Sequence, residues 1–371
     1  MGKRGHGEGT FRQRPDGTWE VRVSLPDGKR KSYYGKTRGD VAAKLMAARR
    51  DLDAGIDLGT KRQTVTQFLD HWLNDVVKPS KAPKTFTGYR NVVTLYIAPE
   101  IGRHQLGTLT PQHVAAMLKV HRDGGRSPRT LHHIRAVLRN ALNQAVRWGL
   151  IARNVAALVE PPRQDDLEVR PMTATEAKTV IAASESDRLG VLFRLALTLG
   201  LRQGEVLGLR WEDIDLEGGK LRVRHALQRI HGMLTLKAPK TEKSKRTLHL
   251  PPSLIAVLRA HRDRQTFERT AAASEWKETG LVFATRTGTP IDPRNVLRSW
   301  HRVLAAEGME RRSFHVARHT AASMLLAEGL SLKMIQEVLG HTLLSTTADI
   351  YSHLAPEAFQ EAADAMERAL A

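Results

Sequence analysis

Six side chains in the second half of this chain have types and settings that packing alone would not choose. Arg202 lies in Thr198-Leu199-Gly200-Leu201-Arg202-Gln203-Gly204-Glu205, just past a glycine that should end an apolar helix and three residues before a carboxylate. Lys240 stands in the cationic stretch Pro239-Lys240-Thr241-Glu242-Lys243-Ser244-Lys245-Arg246, which should form a hairpin between strands. His315 and Arg318, three apart in His315-Val316-Ala317-Arg318-His319, share a face if the segment is helical. His341 follows Gly340, and Tyr351 comes ten residues later in Asp349-Ile350-Tyr351-Ser352-His353.

Each has an ordinary explanation when taken singly. Arg202 can pair with Glu205, Lys240 can be one solvated lysine among several, and Tyr351 can be a packed aromatic with its hydroxyl at the surface. Together they are the parts needed to open a phosphodiester. Two planar guanidinium groups can clamp the nonbridging oxygens of one phosphate and offset the charge that grows in a pentavalent transition state. Tyrosine supplies the nucleophilic oxygen, but its free pKa of about 10 demands neighbouring cations and a proton acceptor. Lysine can protonate the leaving 5′ oxygen, and the histidines can donate to the phosphate or take the tyrosine proton. A metal hydrolase is the rival reading, since His315 and His319 stand at helical i, i+4 spacing. The zinc-helix motif needs a Glu after its first His, and Val316 occupies that place with no acidic cluster nearby.

The elements that must hold these residues fall into three stretches. Of 371 residues, 41% are apolar and 26% charged, the composition of a folded protein of two or three domains. Absence of cysteine excludes a disulfide framework, a thiolate zinc site and a Cys nucleophile. No apolar run approaches membrane-spanning length and the N-terminus is polar, so a soluble, cytoplasmic protein with no membrane partner is expected. Charge is the informative quantity: the net value is +19, with 13 basic against 8 acidic residues in 1–60, 16 against 5 in 61–163 and 29 against 26 beyond. The excess sits in the middle stretch, which points to a positively charged face and a polyanionic partner.

In residues 1–58, strands are expected over 9–14, 19–24 and 31–35, parted by two Pro-Asp-Gly turns, then a helix over 38–54. Such a three-stranded sheet with a helix can read a DNA groove or be an unspecialised decoration. Residues 62–160 read as all-helical, with helices over 65–77, 84–97, 111–121 and 128–149, the last two opened by Thr110-Pro111 and Ser127-Pro128. Leu131, Ile134, Leu138, Leu142 and Val146 form an apolar stripe, while Arg129, Arg135, Arg139 and Arg147 lie around the polar side. After a Pro-containing linker at 160–166, residues 170–371 mix both types. Strands are expected at 220–229, 232–237 and 245–250, and helices near 190–200, 252–269, 293–307, 315–328, 331–338 and 355–370.

In this order and context, the Arg, Lys, His-x-x-Arg, His and Tyr series resembles that of the tyrosine recombinases, also called phage-type integrases. All six positions carry the family's residue types: Arg202, Lys240, His315, Arg318, His341 and Tyr351. The resemblance implies a mainly helical, mixed α+β catalytic domain with a small antiparallel sheet over 170–371. An all-α core-binding domain would precede it at 62–160 and a small sheet-plus-helix arm-type domain at 1–58. It further implies that Tyr351 attacks DNA to give a 3′-phosphotyrosyl intermediate and a free 5′-hydroxyl, with no metal, ATP or other cofactor. Arg202 and Arg318 would hold the phosphate, Lys240 would be the general acid, His315 would assist as general base and His341 would hydrogen-bond the phosphate. Glu205 would orient the site or serve a purely structural role. Duplex DNA attachment sites and a homotetrameric synapse are the implied partners, with host DNA-bending and excision factors as accessory candidates. The C-terminal helix, with Phe359, Ala362, Ala363, Met366 and Leu370 on one face, could pass between protomers. A type IB topoisomerase-like relaxing enzyme and a non-catalytic DNA-binding regulator are the alternatives.

Overall fold

The chain divides into two units, Met1–Asp166 and Leu167–Ala371, in a computed structural model that describes residues 10–24, 28, 30–53, 63–160, 170–230, 232–238 and 245–340. Lys240, His341, Tyr351 and the expected helix over 355–370 lie outside the described residues.

The first unit holds two separate apolar cores. Strands β1 (Thr10–Gln13), β2 (Trp19–Ser24) and β3 (Arg30–Gly35) form an antiparallel sheet in that order, with Phe11 and Tyr33 flanking Val21 in register. Alternation directs Val21 and Val23 to one face, where α1 (Arg38–Asp53) covers them with Val41, Leu45 and Ala48. The opposite face carries Arg12 and Arg22 beside Glu20, whose carboxylate accepts hydrogen bonds from Arg22 Nε (2.8 Å) and Ser32 Oγ (2.9 Å).

The second core is helical. Helix α2 (Val65–Trp72) opens on a reciprocal capping box between Thr64 and Gln67; α3 (Pro83–Val92), α4 (Pro111–Asp123) and α5 (Pro128–Arg147) all begin with proline. Helices α2 and α3 continue through wide π turns, Leu73–Val77 and Val93–Ile97, before one last turn each. Pro79 and Pro99 explain both: a proline ring meets the carbonyl four residues back and lacks an N–H, and the wider turn makes room for it. On α5 the stripe Leu131, Ile134, Val137, Leu138, Ala141, Leu142 and Ala145 is buried, while Arg129, Arg139 and Arg147 are exposed.

In the second unit, α6 (Ala174–Ala183) starts at the capping box of Thr173 and Glu176. Helix α7 (Gly190–Leu199) is buried almost all round, as a central core helix must be. Phe193 packs against Trp300 and Phe314, with ring centroids 5.3 and 6.1 Å away; truncating Trp300 to Ala should cost about 3–5 kcal/mol. A short helix α8 (Gln203–Leu207) follows. Strands β4 (Ile214–Asp215), β5 (Lys220–Val223) and β8 (Arg246–His249) form one antiparallel sheet, and β6 (Ala226–Ile230) and β7 (Met233–Lys237) form a separate hairpin. The single strand expected over 220–229 is therefore two. Arg224 pairs with the buried Asp213 and His225 lies 3.5 Å from the same carboxylate, which turns the chain out of the first sheet. Helices α9 (Pro252–Ala272), α10 (Pro293–Ala306), α11 (Val316–Ala327) and α12 (Leu332–Leu339) follow among the described residues. The protein is thus multidomain and mainly helical with small antiparallel sheets. Among the described residues no helix is long and apolar enough to cross a membrane.

Candidate active site

Arg202 is placed by the end of α7. Gly200 caps that helix in the left-handed region (φ +62°), which glycine adopts without steric cost. A Cβ there would also strike the Leu339 side chain, so the glycine lets the end of α12 come close. Two residues on, Arg202 caps α8: its backbone N–H donates to Glu205 Oε2 (3.1 Å) and its Nη1 to Glu205 Oε1 (2.7 Å). Its side chain keeps 37% of its surface open to solvent and to a ligand.

Arg318 approaches from α11, where Ala317, Ala321 and Ala322 are small enough to let that helix lie close to its neighbours. It is 1% exposed, with Nη1 donating to the Gly200 carbonyl (2.8 Å) and Nη2 to the Leu339 carbonyl (2.6 Å). Burial, then the charge of Arg202, pushes the guanidinium down to about 9, partly offset by Glu205; it remains a cation at neutral pH. His315 stands at the N-cap of the same helix. Burial first, then His319, Arg318 and Arg202, push it down to about 4, so it is neutral at pH 7. The His319 ring meets it edge-on at 4.8 Å, itself held below the usual histidine range by burial and Arg318.

Glu205 is 3% exposed. Burial alone would raise its pKa, but the charge and hydrogen bond of Arg246, then those of Arg202, outweigh it and keep the carboxylate ionised. Arg246 donates through Nη2 to Glu205 Oε2 (3.0 Å) and through Nε to the Val338 carbonyl (2.6 Å).

Three guanidinium groups thus gather at three successive carbonyls: Arg246 at Val338, Arg318 at Leu339 and Arg202 at Gly340 (3.2 Å). These are the last carbonyls of α12, which have no partner within the helix and form the negative end of its dipole. Gly340 closes α12 in the left-handed conformation (φ +67°). Of the six residues singled out in the sequence, Arg202, His315 and Arg318 are brought to one place. Lys240, His341 and Tyr351 lie outside the described residues.

Arg246 was not among the residues singled out as catalytic, although a signal for it existed. In the strand expected over 245–250, positions 246, 248 and 250 alternate inward, and Leu248 and Leu250 are core residues. An arginine sharing their face must have a buried anion or carbonyls to meet.

What this arrangement can do is bind a phosphate between Arg202 and Arg318, with a neutral imidazole beside it. The phage integrase family matches residues 170–358, and the N-terminal SAM-like domain of phage integrases matches residues 64–119. A tyrosine recombinase XerC-like protein of Caldanaerobacter subterraneus is 33% identical over 347 residues, spanning 88% of this chain and 89% of that protein. An integrase of Saccharopolyspora erythraea is 28% identical over 420 residues, spanning 97% and 96%. The fold is that of the Tn1549 transposon integrase solved with transposon right-end DNA (TM-score 0.70, 18% identity, 83% of this chain and 100% of that one). It is also that of a lambda integrase dimer bound to a core site (TM-score 0.60, 20% identity, 95% and 97%). With a family match over half its length and a relative one third identical along most of both chains, this chain belongs to the phage integrase family and is a tyrosine site-specific recombinase.

Proposed function

We propose that this recombinase cuts and rejoins duplex DNA with Arg202, Lys240, His315, Arg318, His341 and Tyr351, and that it integrates or excises a phage or other mobile element. The carrying observation is the convergence of Arg202 and Arg318 on one site beside a neutral His315. The Tyr351 hydroxyl attacks the phosphorus, its proton passes to His315, the bond from phosphorus to the 5′ oxygen breaks, and Lys240 protonates that oxygen. Arg202 and Arg318 offset the second negative charge of the pentavalent state, and His341 donates to a nonbridging oxygen. The 3′-phosphotyrosyl ester conserves the energy of the broken bond, so attack by the 5′-hydroxyl of another duplex reverses the step with no need for ATP or metal.

In this reading residues 170–371 are the catalytic domain, 62–160 grip the DNA core site through their net charge of +9, and 1–58 contact arm-type sites through the arginine-bearing face of their sheet. Lambda integrase has been solved as a tetramer on a Holliday junction, which supports a homotetrameric synapse here. Host DNA-bending and excision factors would act on the same synapse.

A plasmid carrying two copies of the DNA flanking the gene tests the proposal. Recombinant products with the wild-type chain and none with Tyr351→Phe are expected. Relaxed plasmid without recombinants would instead mark a type IB topoisomerase-like enzyme, and binding with neither product a regulator.

A further inference from the structure

We infer that Arg246 is a positioning residue for DNA cleavage, one that cancels the charge of Glu205 so that the charge of Arg202 stays available to the scissile phosphate. This rests on the reading of Arg202 and Arg318 as the phosphate clamp. Arg246 is the first residue of β8, opposite Val223 in register, on the face that buries Leu248 and Leu250. Its side chain is only 6% exposed and reaches both Glu205 and the Val338 carbonyl.

Glu205 stands between two guanidinium groups, with one oxygen on Arg202 Nη1 and the other on Arg246 Nη2. Beside Arg202 alone, that carboxylate would form a neutral pair, and at 2.7 Å it would cancel most of the attraction Arg202 exerts on an incoming phosphate. With Arg246 the three groups carry one net positive charge, and Arg318 raises the total of these four groups to two. A phosphodiester bears one negative charge and its pentavalent transition state two. Loss of Arg246 therefore halves the charge set against the transition state while both arginines of the clamp remain. The Val338 contact adds a second effect: it fixes Arg246, and through it Glu205, against the same helix end that Arg202 and Arg318 hold.

The test uses the full chain and nicked duplexes from the DNA flanking the gene, with the rate of covalent adduct formation and the equilibrium binding measured separately. Arg246→Gln should slow adduct formation about 100-fold while binding stays within about threefold. Arg246→Lys, which keeps the charge, should recover to within about tenfold of wild type, and Glu205→Gln added to Arg246→Gln should restore at least about tenfold by returning the balance to two charges. Wild-type rates for Arg246→Gln, an equal fall in binding, or no recovery in either partner variant would overturn the inference. If Arg246→Gln does not fold, Arg246→Lys and the double variant carry the comparison: in protein that melts cooperatively, both must cleave within about tenfold of wild type. Arg202→Lys separates the two levels. Normal cleavage by it defeats the clamp itself, whereas dependence on Arg202 with indifference to Arg246 defeats this inference alone.

Discussion

Removing the Glu205 carboxylate should destabilise the catalytic unit by an amount that its surroundings allow to be worked out. The group is 3% exposed and meets the side chain of Arg246, itself 6% exposed, at 3.0 Å. In Glu205→Ala the Arg246 cation stays buried without its carboxylate, a change that costs about 3–5 kcal/mol. Arg202 is more than a third exposed, so its lost pairing is screened by water and adds less than about 1 kcal/mol. For a unit of about 200 residues each kcal/mol moves the midpoint by about 2–4 °C, so a fall of roughly 6–20 °C is expected. Calorimetry of the full chain at pH 7 reads it, since a carboxylate held below its usual range stabilises above its unfolded pKa and loses that contribution as pH falls through the folded one. Replacing both partners, Glu205→Leu with Arg246→Met, removes the stranded cation and should melt closer to wild type than Glu205→Ala. A midpoint for Glu205→Ala within about 2 °C of wild type, or a double variant that falls by the sum of its singles, would show that Glu205 does not hold the buried Arg246 cation in this way.

Other outcomes follow from the same geometry. His261 accepts at Nδ1 from Arg264 (2.8 Å) and donates from Nε2 to the Val282 carbonyl (2.8 Å), and burial pushes its pKa down to about 4. Its stabilisation is complete above about pH 6.5 and is lost as pH falls toward 4, by about 2 kcal/mol at pH 5; melting midpoints of His261→Gln should show a shallower decline over that range, and an unchanged slope would contradict the assignment. Arg318→Lys cannot fork between Gly200, Leu339 and a phosphate, so cleavage should drop about 100- to 1,000-fold with DNA binding nearly unchanged; a rate within threefold of wild type would remove Arg318 from the clamp. If the basic helical stretch engages about six phosphates, affinity should fall about 1,000-fold between 50 and 200 mM salt, and a flat titration would show that charge does not drive binding.

Much of the fold was legible because period and punctuation agreed. The three strands of residues 1–58 were marked by their turns, and the starts of α4 and α5 by Thr110 and Ser127, each of which caps its helix as expected. Misses came where a distant partner decides the local course. Nothing between residues 220 and 229 announces that the strand breaks, because the cause is Asp213, a buried carboxylate that draws in Arg224 and His225. The π turns were hidden because an apolar stripe reads much the same through one widened turn. At the site, Arg202, His315 and Arg318 stood out by type and setting, and they meet. Arg246 was passed over as one more cation in a basic hairpin, since only tertiary packing gives it Glu205 and Val338.

In the proposed reaction Tyr351 becomes joined to DNA at a site built around Arg202 and Arg318. Wild-type and Tyr351→Phe protein would be incubated in EDTA with nicked duplexes from the DNA flanking the gene, then run on a denaturing gel. A protein–DNA adduct is expected with the wild-type chain and none with Tyr351→Phe. Adduct formation by both forms, or DNA binding without any adduct across the flanking sequences, would contradict it.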